Sequence, residues 1–213
     1  MRDLVVAEAA YAAAVFNGDT EAAARLASSL AGDGPAYDVM RGKLRHALNL
    51  AERVEDPEEL ALFIRAERAF HAIGDIRGEA EAVFWQGCYR QVLARDDASA
   101  HPLLERSLRL ARDAGDDLVA SYALRHLGIS CHMAGDLDGA ERHLQASTTL
   151  RRELGFTAGV AANLVGLAFV AVGRGEAAEG ARRATEAGVL ARGAGASTIQ
   201  RQAAEALKAA TGE

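Results

Sequence analysis

The chain has 213 residues, half of them apolar, a quarter of them charged, and a formal charge of −6. That is enough apolar material for a continuous core, and no window is dense enough in lysine or arginine to neutralise a run of phosphates, which excludes the usual nucleic-acid binder. Three prolines, few aromatics and an excess of alanine, leucine, glutamate and arginine predict an all-α protein, because these side chains lose least freedom in a helix.

In chain order, the first apolar stretch is Leu4–Phe16. Asp3 and Glu8 interrupt it and it runs on into a second helix, so it reads as structure and not as a secretory leader. Helices are expected over 3–16 and 20–30, split by Asn17-Gly18-Asp19. A hairpin over 36–53 and 57–72 follows, with Asp56 as N-cap, Pro57 in the first helical position and Glu59 completing a capping box. No stretch reaches membrane-spanning length, and a cytoplasmic protein with no membrane partner is expected.

From there a repeat takes over. Gly74, Gly115, Gly155 and Gly195 each follow an apolar helical run, at spacings of 41, 40 and 40 residues. Leu124 and Leu164, Leu127 and Leu167, Gly128 and Ala168, Gly135 and Gly175, Ala140 and Ala100, and Leu144 and Leu104 are all 40 apart. Small residues thus fall where two helices cross and large ones between them, as stacked helical hairpins require. The hairpin around Gly87 is less regular, because its loop Arg95-Asp96-Asp97 carries one residue more than the next. Ser197-x2-Gln200 reads as a capping box opening a half-polar helix that covers the end of the stack. The predicted architecture is a single α-solenoid of antiparallel hairpins with about eleven helices: an N-terminal hairpin (1–31), repeats at 35–73, 76–114, 117–154 and 157–194, and a cap at 197–210. Glycines 175, 180 and 188 predict the lowest local stability in 173–195.

At Leu124-x2-Leu127-Gly128, Gly135 and Ala140-x3-Leu144 the chain resembles the tetratricopeptide repeat, in a longer form of about 40 residues without the closing proline. The resemblance covers roughly residues 60–195 and implies a superhelix whose first helices line a binding channel. Carried over residue by residue, it places Glu81, Phe84, Cys88 and Gln91, then Tyr122, Arg125, Ile129 and His132, then Ala162, Val165, Phe169 and Val172 on that channel. It implies a non-enzymatic scaffold or adaptor for a protein or peptide, of a kind found in bacterial sensor domains and in free-standing adaptors. A regulatory module holding a small effector in the groove and a self-assembling structural unit are the alternatives. Arg125 and His132, flanked by Tyr122, would meet a carboxylate or the backbone of an extended peptide, and an exposed groove arginine supports no core.

Signs of catalysis are missing from the sequence. There is no phosphate-cradling glycine loop, and His126 and His132 stand six apart without a His-Glu-x-x-His motif, so neither a cofactor nor a metal site is expected. Cys88 and Cys131 show no Cys-x-x-Cys spacing and read as reduced core or groove thiols. The pairs Asp96-Asp97, Asp116-Asp117 and Glu58-Glu59 sit at helix starts, where capping explains them. Ser107 and Ser147 read as small residues at helix crossings, and Trp85 as core. The helix at 3–16 is apolar on more than one side, which suggests a homodimer through the N-terminal hairpin.

Overall fold

The computed structural model describes residues 2–212, and Ala51 among them by its backbone alone. Eleven α-helices and no strand are found among the described residues. They are α1 (Arg2–Ala12), α2 (Glu21–Ser29), α3 (Pro35–Glu52), α4 (Pro57–Ile73), α5 (Ile76–Val92), α6 (Asp97–Asp113), α7 (Asp117–Met133), α8 (Leu137–Glu153), α9 (Thr157–Gly173), α10 (Ala177–Gly193) and α11 (Ser197–Thr211). Helix α1 runs on through a wider π-type turn at Ala13–Asn17, which Gly18 ends in a left-handed conformation.

The seven helices α4 to α10 are all 17 residues long, so the 40-residue period is two such helices and two short turns. The Gly-Asp turns make that period possible. Gly115 is left-handed (φ 63°), and the N–H of Asp116 reaches back to the Ala111 carbonyl at 2.8 Å, closing α6. The same aspartate then accepts from the Val119 N–H at 3.0 Å and opens α7. Asp75 and Asp136 also do both jobs, ending α4 and α7 and capping α5 and α8. Where phenylalanine stands instead, at Phe156, its ring lies beneath the Arg151 guanidinium at 5.3 Å.

The chain forms two compact units, Met1–Ala123 and Leu124–Glu213, and the division falls within α7. In the first unit α1 and α2 pack on α3, and α3 to α6 pack consecutively, with α3 also touching α5. In the second, α8 to α11 pack consecutively and α9 also meets α11. Each unit thus has the neighbour-on-neighbour order of an α-solenoid. Small residues hold the crossings: a Cβ on Gly87 would lie 2.9 Å from Leu104, and one on Gly128 2.9 Å from Leu144. Ser107 and Ser147 are fully buried at equivalent places, as expected of small residues.

Two expected caps differ from what is found. Asp56 does cap α4, accepting from the Glu58 N–H at 3.0 Å, but Glu59 does not turn back to complete a box. Its carboxyl is fully buried and points to α3. At α11 the N-cap position is Ala196, and Ser197 is already the first helical residue. An alanine has no side-chain acceptor, so the box read from Ser197-x2-Gln200 starts one residue too late.

Candidate functional site

The largest buried concentration of chemistry lies in the first unit, between α1, α3, α4 and α5. Helix α3 carries Lys43, His46 and Asn49 at three-residue steps, which puts them on one face. His46 Nδ1 lies 2.7 Å from Glu59 Oε1, and Asn49 Nδ2 donates to the other Glu59 oxygen at 2.9 Å. On the far side of the ring, His46 Nε2 is 3.5 Å from Cys88 Sγ on α5. Trp85 stands edge-on to the imidazole with ring centres 5.4 Å apart, and Phe63 stacks on the indole. His46, Glu59, Trp85 and Cys88 are all at most 4% exposed.

The charges explain why His46 can be buried. Desolvation alone would strip its proton, but Cys88 and Glu59, bonded to its two nitrogens, outweigh burial and push its pKa up to about 10. An imidazolium has two N–H donors, one for the carboxylate and one for the sulfur. Lys43 repeats the theme one turn earlier: its ammonium meets Glu8 of α1 at 2.5 Å and Glu81 of α5 at 3.3 Å. It also lies over the rings of Tyr11 (5.0 Å) and Trp85 (5.6 Å). Burial works against its charge, yet Glu81 and Glu8 hold its pKa above the usual lysine value. Burial likewise raises the Tyr11 phenol well above its ordinary range.

The second unit has a buried polar group of its own, centred on Asn163 of α9. Its amide donates to Ser147 Oγ at 2.8 Å, and its Oδ1 accepts from Arg151 at 3.0 Å and from Arg125 at 3.1 Å. Arg151 also donates to the Gly159 carbonyl at 2.9 Å, and Arg125 to the Ala162 carbonyl at 2.8 Å. The expectation that Arg125 supports no core is therefore corrected, because its guanidinium braces α7 against the backbone of α9.

Of the residues assigned to the channel by resemblance, Phe84, Cys88, Gln91, Ala162 and Val165 are buried. Phe84 stacks on Tyr122 at 5.5 Å, and Gln91 donates to Asp97 at 3.0 Å. Beside this stripe on α5, Trp85 meets Tyr11 of α1 edge-on at 5.6 Å. Tyr122, Arg125, Ile129, His132, Phe169 and Val172 are half-buried. Trp85 is core, as expected. Sequence reasoning missed Lys43, His46 and Glu59. Their one signal was Lys43-x2-His46 breaking into the apolar face of α3 beside Met40, Leu44 and Ala47, in a chain whose other basic residues are arginine except for Lys208.

Among the described residues no three His, Cys, Asp or Glu side chains are arranged to hold a metal ion, and no helix is long and apolar enough to cross a membrane. No protein-family model matches the chain, and no curated protein matches it. The fold and the two buried centres define an all-α protein of consecutively packed helical hairpins.

Proposed function

We propose that the chain is a cytoplasmic, non-enzymatic scaffold of the tetratricopeptide type, which takes an extended segment of a partner protein or a peptide along the first helices of its hairpins. The observation that carries this reading is in the second unit. Gly128 of α7 meets Leu144, Cys131 meets Gly139, Ser147 meets Asn163 and Arg151 meets Gly159, so α8 runs antiparallel to both α7 and α9. Helices α7 and α9 are therefore parallel, and the Arg125–Ala162 bond sets their register. Seven residues further along each helix, His132 and Phe169 come level, with Ile129 and Val172 beside them, all half-buried. Apolar side chains with one polar group, left partly open on two parallel helices, suit a chain lying across them.

The test is affinity capture with the wild-type chain and with a His132→Ala, Phe169→Ala double variant, whose melting is followed in parallel. The reading expects a partner held by the wild type and lost by a variant that still melts near the wild-type temperature. Equal capture by both removes it. A homodimer through the N-terminal hairpin belongs to the same proposal, supported by Val5 and Val6, 71% and 54% exposed on α1. Sedimentation at tens of micromolar showing only monomer removes that part.

A further inference from the structure

A cysteine that merely fills a core packs against alkyl groups, and nothing near it needs to ionise. Cys88 is placed differently. Its sulfur is 3.5 Å from His46 Nε2, and the other ring nitrogen is fixed at 2.7 Å from a carboxylate with no exposure to water. A buried carboxylate is costly unless it is paired, and here the pairing turns the imidazole so that Nε2 is the nitrogen offered to the thiol. Asn49 takes the second Glu59 oxygen at 2.9 Å, so the carboxylate cannot swing away. Nucleophile, base and a third group that orients the base are the parts that activate a nucleophile on any fold.

We propose that Cys88 is a modification site: a reactive thiol that gives its proton to His46 and is oxidised by a small hydroperoxide to the sulfenic acid. The thiolate sulfur attacks one peroxide oxygen, an S–O bond forms and the O–O bond breaks. The sulfur loses two electrons, and the departing oxygen takes them. His46 returns its proton to that leaving group, which departs as water when the oxidant is hydrogen peroxide. The result is Cys88 sulfenic acid beside a neutral imidazole.

Burial selects the oxidant. Cys88 is 4% exposed and its partner ring is capped by Trp85, so the oxidant proposed is one as small as hydrogen peroxide, and bulky electrophiles are not expected to react with the folded chain. The elevated His46 pKa, raised by the sulfur and the carboxylate against desolvation, agrees with a proton resting on the ring. Charged or titratable groups near this centre include Glu8 and Tyr11 of α1, Lys43 of α3, Glu81 of α5 and Tyr122 of α7. Lys43 binds both of those glutamates, and His46 Nε2 stands 3.5 Å from the sulfur. Oxidation adds an atom where α3, α4 and α5 meet, so the modified first unit is looser than the reduced one.

The experiment uses the full chain with Cys131→Ser, in which Cys88 is the single thiol. Hydrogen peroxide is added between pH 6 and 8, the reaction is stopped with catalase at timed intervals, the chain is unfolded in urea containing dimedone so that any sulfenic acid is trapped once exposed, and the adduct is located by mass spectrometry. The expected result is an adduct on Cys88 whose rate changes less than about twofold across that range, because the thiol is already ionised. An ordinary thiol with a pKa of about 8.5 would speed up about tenfold per pH unit, and that profile, or no adduct on Cys88, overturns the proposal. A His46→Gln variant should react at least about tenfold more slowly at pH 7, by the fall in thiolate fraction. The profile of the His46-containing chain decides the matter even if that variant fails to fold.

Discussion

The side-chain amide of Asn163 donates to Ser147 Oγ at 2.8 Å while its own oxygen accepts from the guanidinium groups of Arg125 and Arg151. One uncharged residue therefore joins α7, α8 and α9. Replacing it by leucine removes an acceptor shared by two cations, of which Arg151 is buried and Arg125 half-buried. Asn163→Leu should cost about 3 kcal/mol in urea unfolding, the scale of breaking buried charged hydrogen bonds. Ser147→Ala, which leaves both arginines served, should cost about 1 kcal/mol. Equal losses for the two would show that the arginines do not depend on Asn163.

Arg125 allows a related test. Its bond to the Ala162 carbonyl predicts that Arg125→Ala lowers stability by about 1–3 kcal/mol, the usual worth of a hydrogen bond to a charged group. A thermal melt unchanged by the substitution would mean that the brace contributes nothing in solution.

The pH dependence of the first unit follows from His46. Its folded pKa is raised, from an ordinary 6.5 to about 10, so the folded state binds the proton more tightly than the unfolded one. The stability this contributes is full below pH 6.5, declines as the pH rises above it and is gone above about 10. Urea unfolding at pH 6, 8 and 10 should therefore show a larger loss for the wild type than for His46→Gln. Parallel losses in the two proteins would place the His46 proton elsewhere.

Two glycines of α10 should respond in opposite ways to alanine. A Cβ at Gly188 would meet only Ala203, at a comfortable 3.8 Å, and Gly188→Ala should stabilise by about 0.5–1 kcal/mol through the unfolded chain. At Gly180 the added carbon would press on Val172 at 3.0 Å and on the Ala168 carbonyl at 3.3 Å, so Gly180→Ala should give no gain or a loss. Differential scanning calorimetry of the two variants separates these outcomes.

The helices and their turns were legible because the information is local. Gly115-Asp116 states within two residues both how α6 stops and how α7 starts, and the neighbouring apolar period does the rest. Glu59 was misread for the opposite reason. At the start of α4 its sequence neighbourhood suits a cap, and only the approach of α3 reveals His46 as its partner, thirteen positions away. Arg125 and Cys88 are similar cases. Helical periodicity put both on the face that meets other helices, but whether that face holds a channel, a brace or a buried thiol depends on which side chains arrive from α1, α3 and α9.

The uneven fate of the two lysines has a practical side. Lys43 is enclosed, protonated and held by two carboxylates, whereas Lys208 stands exposed on α11. Acylating dyes and activated-ester resins, which need an accessible neutral amine, will discriminate between them. Of the two side-chain amines, labelling falls on the last helix, so a molecule attached through it is held by that helix and leaves α7 and α9 untouched by the chemistry.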